Sequence, residues 1–144
     1  MKSFFSFFLV SILIWSCCTK KDCVGTEKIS EIIFSGYDTT ELNNIKIFSY
    51  KSFNSGVADS QSVNSRPISE SFGTGYYLDT PLTFDKVYIL KVNGDSYKIA
   101  GFKVEKKTCN TCTFGNDYYS SLSTLTINGK TMSPVKPGGL LIEK

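Results

Sequence analysis

The best-defined stretch of the chain runs from Val87 to Ala100, where runs rich in Val, Ile, Leu and Tyr flank Asn93 and Gly94 on both sides. Such runs mark strands, and Asn-Gly readily adopts the two positive φ values of a type I′ turn. Counting outward from the turn sets Leu90 opposite Tyr97 and Tyr88 opposite Ile99 on one face. Ile89 then faces Lys98, and Val87 faces Ala100, on the other. The first face is the one expected to enter the core. Beyond Ala100 the phase slips: Phe102 and Val104 are apolar, and Lys103 takes the parity of Tyr97 and Ile99. A β-bulge is therefore expected at Gly101. A second Asn-Gly, Asn128 with Gly129, follows Leu125 and Ile127 and folds the chain back through Lys130 to Met132. Pro137, Gly138 and Gly139 then lead into a last strand, Leu140 to Ile142.

Elsewhere beyond Gly25, Val, Ile, Tyr, Phe and Thr gather in short runs bounded by Gly, Asn, Asp, Ser and Pro, and no 3.6-residue apolar period lasts beyond a turn. Strands are expected near 27–34, 44–51, 67–72, 75–78, 86–92, 95–104, 118–127 and 139–143. With no helix to cover a parallel sheet, this pattern predicts an all-β domain over residues 26–144: an antiparallel β-sandwich or partly open barrel of six to eight strands. Residues 52–66 are rich in Ser and Asn and are expected to form a long mobile loop, with Phe53, Val57 and Val63 as its only anchors.

The N-terminus follows a different rule. Met1 and Lys2 precede an apolar run from Phe4 to Trp15 broken only by Ser6 and Ser11, the length of a signal-peptide core and too short to span a bilayer, which takes roughly 20 residues. Ile14, Trp15, Ser16 and Cys17 resemble a bacterial lipobox, with Trp15 departing from the small residue usual at its position. Residues 1–16 are thus expected to be a lipoprotein signal peptide, Cys17 the lipidated residue, and 17–25 a short polar stalk containing Cys18 and Cys23. Two or three acyl chains hold a protein firmly at a membrane, where one binds only marginally. No Asp follows Cys17, so resemblance to enteric lipoproteins implies the outer membrane.

Composition narrows the chemistry. The chain has 144 residues, 16 Lys plus Arg, 13 Asp plus Glu, and a formal charge of +3. That charge gives no electrostatic case for nucleic acid. With no His, Ser-His-Asp triads and His-ligated zinc sites are excluded. The five cysteines include Cys109 and Cys112 as a CxxC. Outside the cytoplasm such a pair is expected to be a structural disulfide, with redox and metal roles as the competing readings. If Asn110 and Thr111 centre a β-turn, the flanking Cα atoms lie within disulfide range, so a local Cys109–Cys112 bridge is expected; pairing of either with Cys23 is the alternative.

Gly73, Thr74 and Gly75 form a GxG without the third glycine or following helix of a phosphate loop, and are expected to be a turn between strands. The adjacent pairs Tyr76, Tyr77 and Tyr118, Tyr119 must each send one ring to either face of a strand, which makes them a candidate binding surface. No catalytic residue, metal site or cofactor is expected.

Four features taken together resemble the small β-rich lipoproteins of diderm bacteria: Ile14 to Cys17, the Lys and Asp stalk, the Asn93-Gly94 hairpin leading to a Cys-containing segment, and Asn128-Gly129-Lys130. That resemblance implies an envelope location and carries no activity. Two functions remain as expectations. One is a non-catalytic envelope module that binds a protein, peptide or glycan or inhibits an enzyme; the other is a thiol-disulfide accessory using Cys109 and Cys112.

Overall fold

A computed structural model of the chain describes residues 25–63, 67–71, 73–112 and 115–144. Residues 1–16, expected to be a signal peptide, and Cys17, Cys18 and Cys23 lie outside them. The described residues form ten strands: β1 (Lys28–Ser35), β2 (Ile45–Tyr50), β3 (Val57–Val63), β4 (Ile68–Glu70), β5 (Gly73–Thr83), β6 (Val87–Val92), β7 (Asp95–Cys112), β8 (Gly115–Ile127), β9 (Lys130–Met132) and β10 (Gly139–Glu143). They make a four-stranded sheet, β10-β1-β5-β4, and a six-stranded sheet, β3-β2-β6-β7-β8-β9. The fold is the all-β sandwich expected, with ten strands where six to eight were expected, because short polar segments such as β3 and β9 also pair, and with one parallel pair, β1 with β10, among antiparallel ones. The described residues fall into two compact units, one with residues 106–112 and 115–119 and a larger one with residues 25–105 and 120–144.

In the larger unit the two sheets share one core. The smaller sheet contributes Ile29, Ile32, Phe34, Tyr76, Leu82 and Ile142, and the larger contributes Ile47, Tyr88, Leu90, Ile99, Leu122 and Leu125. Ten or so such side chains, each worth about 1.5–3 kcal/mol when buried, are what offset the chain entropy.

Both Asn-Gly turns form as the residues dictate. Asn93 and Gly94 have φ of 46° and 86°, and Asn128 and Gly129 have 51° and 82°. The register follows from the first turn, with Tyr88 opposite Ile99, Ile89 opposite Lys98 and Leu90 opposite Tyr97. The second turn sets Ile127 opposite Lys130 and Leu125 opposite Met132. Gly101 has φ of 62° and sits where Ile99 and Phe102 both reach the core, so the phase change is real. Val104 does not follow Phe102 inward and is 46% exposed.

Three expectations are corrected. Residues 57–63 are not loop: they pair with β2 as an edge strand, tied to β5 by the Gln61 amide, which donates to Thr80 O (2.9 Å) and accepts from Thr80 N (3.3 Å). The Gly73–Gly75 segment is not the turn itself but the start of β5, with Gly73 opposite Glu70. Residues 109–112 are not a turn either, because β7 runs on to Cys112.

β1 shows how the smaller sheet is seated. It pairs with β10 in parallel and with β5 antiparallel, with a register shift between Ile29 and Glu31. There Ser30 N and Glu31 N both donate to Gly138 O, at 3.0 and 3.1 Å, two donors on one carbonyl. The shift lets Ile29, Ile32 and Phe34 all face the core and turns Glu31 and Ile33 to the opposite face. On β5 the same irregularity leaves Leu78–Pro81 without partners on β1, which accommodates a proline that has no N–H to give.

Candidate functional site

At one end of the larger unit, the β1–β2 connection, the β6–β7 turn and the end of β10 bring their polar side chains together. Tyr37 packs edge-on against Phe34, with ring centroids 5.7 Å apart, and its hydroxyl emerges beside Asp95 and Tyr97. It donates to Asp95 Oδ2 (3.0 Å) and is in hydrogen-bond contact with the Tyr97 hydroxyl, which also reaches Glu143 O at 3.2 Å. Burial, reinforced by the bonds to Tyr97 and Asp95, pushes the Tyr37 phenol far above its ordinary pKa.

Glu41 is the second anchor. Its carboxylate accepts from Lys144 Nζ at 2.6 and 2.9 Å, from Asn93 Nδ2 at 2.7 Å and from Asp38 N at 3.0 Å. The Lys144 bond, followed by the backbone bond from Asp38, holds this carboxyl below the usual range, and Glu41 in turn raises Lys144. These groups are too solvated for the pair to add much stability; what they add is position. The β1–β2 connection is fastened to the tip of the Asn93-Gly94 hairpin.

Between these fastened loops lies a cleft of about 400 Å³, lined among others by Thr40, Asn43, Asn44, Lys46, Lys91 and Asn93. Glu41 and Asp95 also border it; Lys144 pairs with the first, and the second accepts from the Tyr37 hydroxyl and keeps its charge. Lys91 Nζ lies 5.3 Å from the centroid of the Phe48 ring, and among the described residues neither Lys46 nor Lys91 forms an ion pair. The cleft therefore offers amides, a hydroxyl, two cations and, at its border, the Asp95 carboxylate.

The tyrosine pairs divide as the pleat requires. Tyr76 is 5% exposed and packs edge-on against Phe34, so it belongs to the core and not to a binding surface, whereas Tyr77 is 55% exposed. In the other unit Tyr118 is 54% exposed with Lys106 Nζ 4.5 Å from its ring centroid, and Tyr119 is half-buried. Cys109 is buried; the side chain of Cys112 lies outside the described residues.

One charged group escapes sequence reading. Glu31 is 4% exposed in the middle of β1, and Lys136 Nζ bridges it (2.9 Å) to Glu70 (3.1 Å). The glycines 73 and 75 find their meaning here. A Cβ on Gly75 would stand 2.8 Å from Glu31 Oε1, and one on Gly73 would stand 2.0 Å from Phe34 O. They let β5 lie close to β1 and its buried acid. Among the described residues no group of three or more His, Cys, Asp or Glu is placed to hold a metal.

No family model, no curated protein and no solved structure matches the chain.

Proposed function

We propose that the protein is a lipid-anchored module of the bacterial envelope, held at the outer membrane through Cys17, that binds a partner without catalysing a reaction on it. The observation that carries the binding reading is the cleft beside Asn93, whose walls are locked together by Glu41 through Asn93 and Lys144. A wall already ordered loses little freedom on association, and that loss is among the larger costs of binding. Lys46 and Lys91 supply positive charge, and Asn43, Asn44 and Asn93 supply paired donors and acceptors. This lining suits an acidic peptide segment of another envelope protein. The anchor is supported by the apolar run Phe4 to Trp15 and by Ile14 to Cys17. A thiol-redox role needs an accessible thiolate, whereas Cys109 is buried.

The reading is tested in intact cells with a photo-crosslinking residue in place of Asn43, and with the same residue in place of the exposed Glu105 as control. Capture of one envelope protein from position 43 and not from 105, lost in Lys46→Glu/Lys91→Glu, is the expected result. Mass spectrometry of the membrane-extracted protein should find acylated Cys17 at the N-terminus. Equal capture from both positions, or an unmodified N-terminus elsewhere, overturns the corresponding half of the reading.

A further inference from the structure

A second, smaller cavity opens elsewhere in the same unit, between β2, β3 and β6 of the larger sheet and β5 of the smaller, with a volume of about 80 Å³. Its floor follows from strand register. Ser49 on β2 stands directly opposite Asp59 on β3 and Tyr88 on β6, so the three side chains leave the sheet on one face, in a row. Ser49 is 8% exposed and its hydroxyl has no hydrogen-bond partner. Buried hydroxyls are nearly always satisfied, so one that is not calls for a reason.

Its neighbours bond elsewhere. The Tyr88 hydroxyl accepts from Thr83 N (2.8 Å) and donates to Thr83 O (3.1 Å). The Gln61 amide bonds both backbone groups of Thr80. What remains around the cavity is Asp59, Ser60 and Lys86, with Ile47 and Pro81 as its apolar wall. No ion pair joins Asp59 to Lys86, so the cavity carries two opposite charges that do not neutralise each other directly.

Opposite charges held apart around a small space, above a hydroxyl lacking a partner, match a small molecule carrying both charges itself. We propose that this cavity binds a small α-amino acid as its zwitterion, the ammonium on Asp59 and the carboxylate on Lys86 and the Ser49 hydroxyl. Glycine and alanine are the smallest amino acids that carry both charges, and a cavity of about 80 Å³ favours them over bulkier ones such as leucine. The site is separate from the cleft beside Asn93, so its failure leaves the partner-binding reading untouched.

The test is a nuclear magnetic resonance titration of the nitrogen-labelled full chain in detergent with glycine, alanine and leucine, and with acetate and methylamine as the two halves of the zwitterion. Glycine and alanine should give saturable shifts at the amides of Ser49, Asp59, Ser60 and Lys86, with leucine and each half-ligand at least about tenfold weaker. Asp59→Asn and Lys86→Met should abolish the shifts. Ser49→Ala should weaken binding about tenfold while its denaturation midpoint does not fall, because the change removes an unsatisfied hydroxyl. Absence of saturable shifts with any amino acid, acetate binding as well as glycine, or unchanged affinity in Ser49→Ala would overturn the proposal.

Discussion

The hydroxyls of Tyr37 and Tyr97 touch each other, one from the β1–β2 connection and one from β7. Between them they hold two hydrogens for three contacts: with each other, with Asp95 and with the carbonyl of Glu143. Donation running from Tyr97 to Tyr37 to Asp95 satisfies the carboxylate and the shared contact, while the Glu143 carbonyl competes for the Tyr97 hydrogen. Tyr37→Phe, which removes the donor to a carboxylate, should therefore destabilise by about 1–2 kcal/mol, and Tyr97→Phe by about 1 kcal/mol or less, in denaturant melts.

The same arrangement sets an alkaline dependence. In the unfolded chain the Tyr37 phenol ionises near pH 10 or so, whereas burial and its hydrogen bonds keep it neutral in the fold. Its contribution is complete below that unfolded value and is lost as pH rises beyond it, because the unfolded state releases a proton that the fold retains. Ultraviolet titration of the folded protein should show a tyrosine that resists ionisation, and Tyr37→Phe should remove it and flatten the alkaline loss of stability.

Not all glycines with positive φ are equal. Gly94 (φ 86°) has open space where a Cβ would go, so Gly94→Ala meets only backbone strain, about 1 kcal/mol. At Gly73 the Cβ would collide with the Phe34 carbonyl of β1. Gly73→Ala should cost about 3 kcal/mol or more, or prevent folding, and comparison of the two melts separates local strain from sheet closure.

Removing Lys136 leaves the Glu31 carboxylate buried without its counter-charge. Lys136→Met should destabilise by about 2 kcal/mol, below the range for a fully buried pair because the lysine side chain is 37% exposed. Glu31→Gln should cost less, since it removes the charge that needs an answer. In the native protein the bond to Glu31 raises Lys136, so this contribution is present below the ordinary lysine range and lost as pH rises through the raised value.

The backbone of Cys109 to Cys112 is extended within β7. Three residues of strand span about 10 Å, more than the roughly 7 Å that a disulfide tolerates between Cα atoms. Peptide mapping without reduction should therefore find the tryptic peptide 108–130 joined to another peptide. Recovery of that peptide alone, with an internal bridge, would restore the local pairing expected from sequence.

Sequence foretold most where a structural decision is local. Asn93-Gly94 and Asn128-Gly129 set φ within two residues, and the register of β6 with β7 and of β8 with β9 follows by counting. It foretold least where the partner is distant. Val57–Val63 is too polar to announce a strand; what holds it is hydrogen bonding to β2 and the grip of Gln61 on Thr80. The GxG was misjudged for the same reason, because the need for glycine comes from Phe34 and Glu31, some forty residues upstream. Of the candidate sites, that the two rings of each adjacent tyrosine pair part to opposite faces was legible from the strand pleat, but which of them is exposed was not. The Glu41 network and the row of Asp59, Ser49 and Tyr88 were not, since each draws on strands or loops far apart in the chain.

The parallel pairing of β1 with β10 has a consequence for the order of events during synthesis. Glu31 meets Gly139 and Ser35 meets Glu143, so an interior strand of the smaller sheet finds one of its two neighbours only when the last strand has been made. Pairing across that much chain is slow because the loop must close before the contacts reward it. A nascent polypeptide emerging from the ribosome N-terminus first can form the Asn93-Gly94 hairpin early, but it cannot cover the open edge of β1 until Glu143 has left the exit tunnel. This sheet therefore closes late, after β10 has emerged, whereas the Asn93-Gly94 hairpin can form well before it.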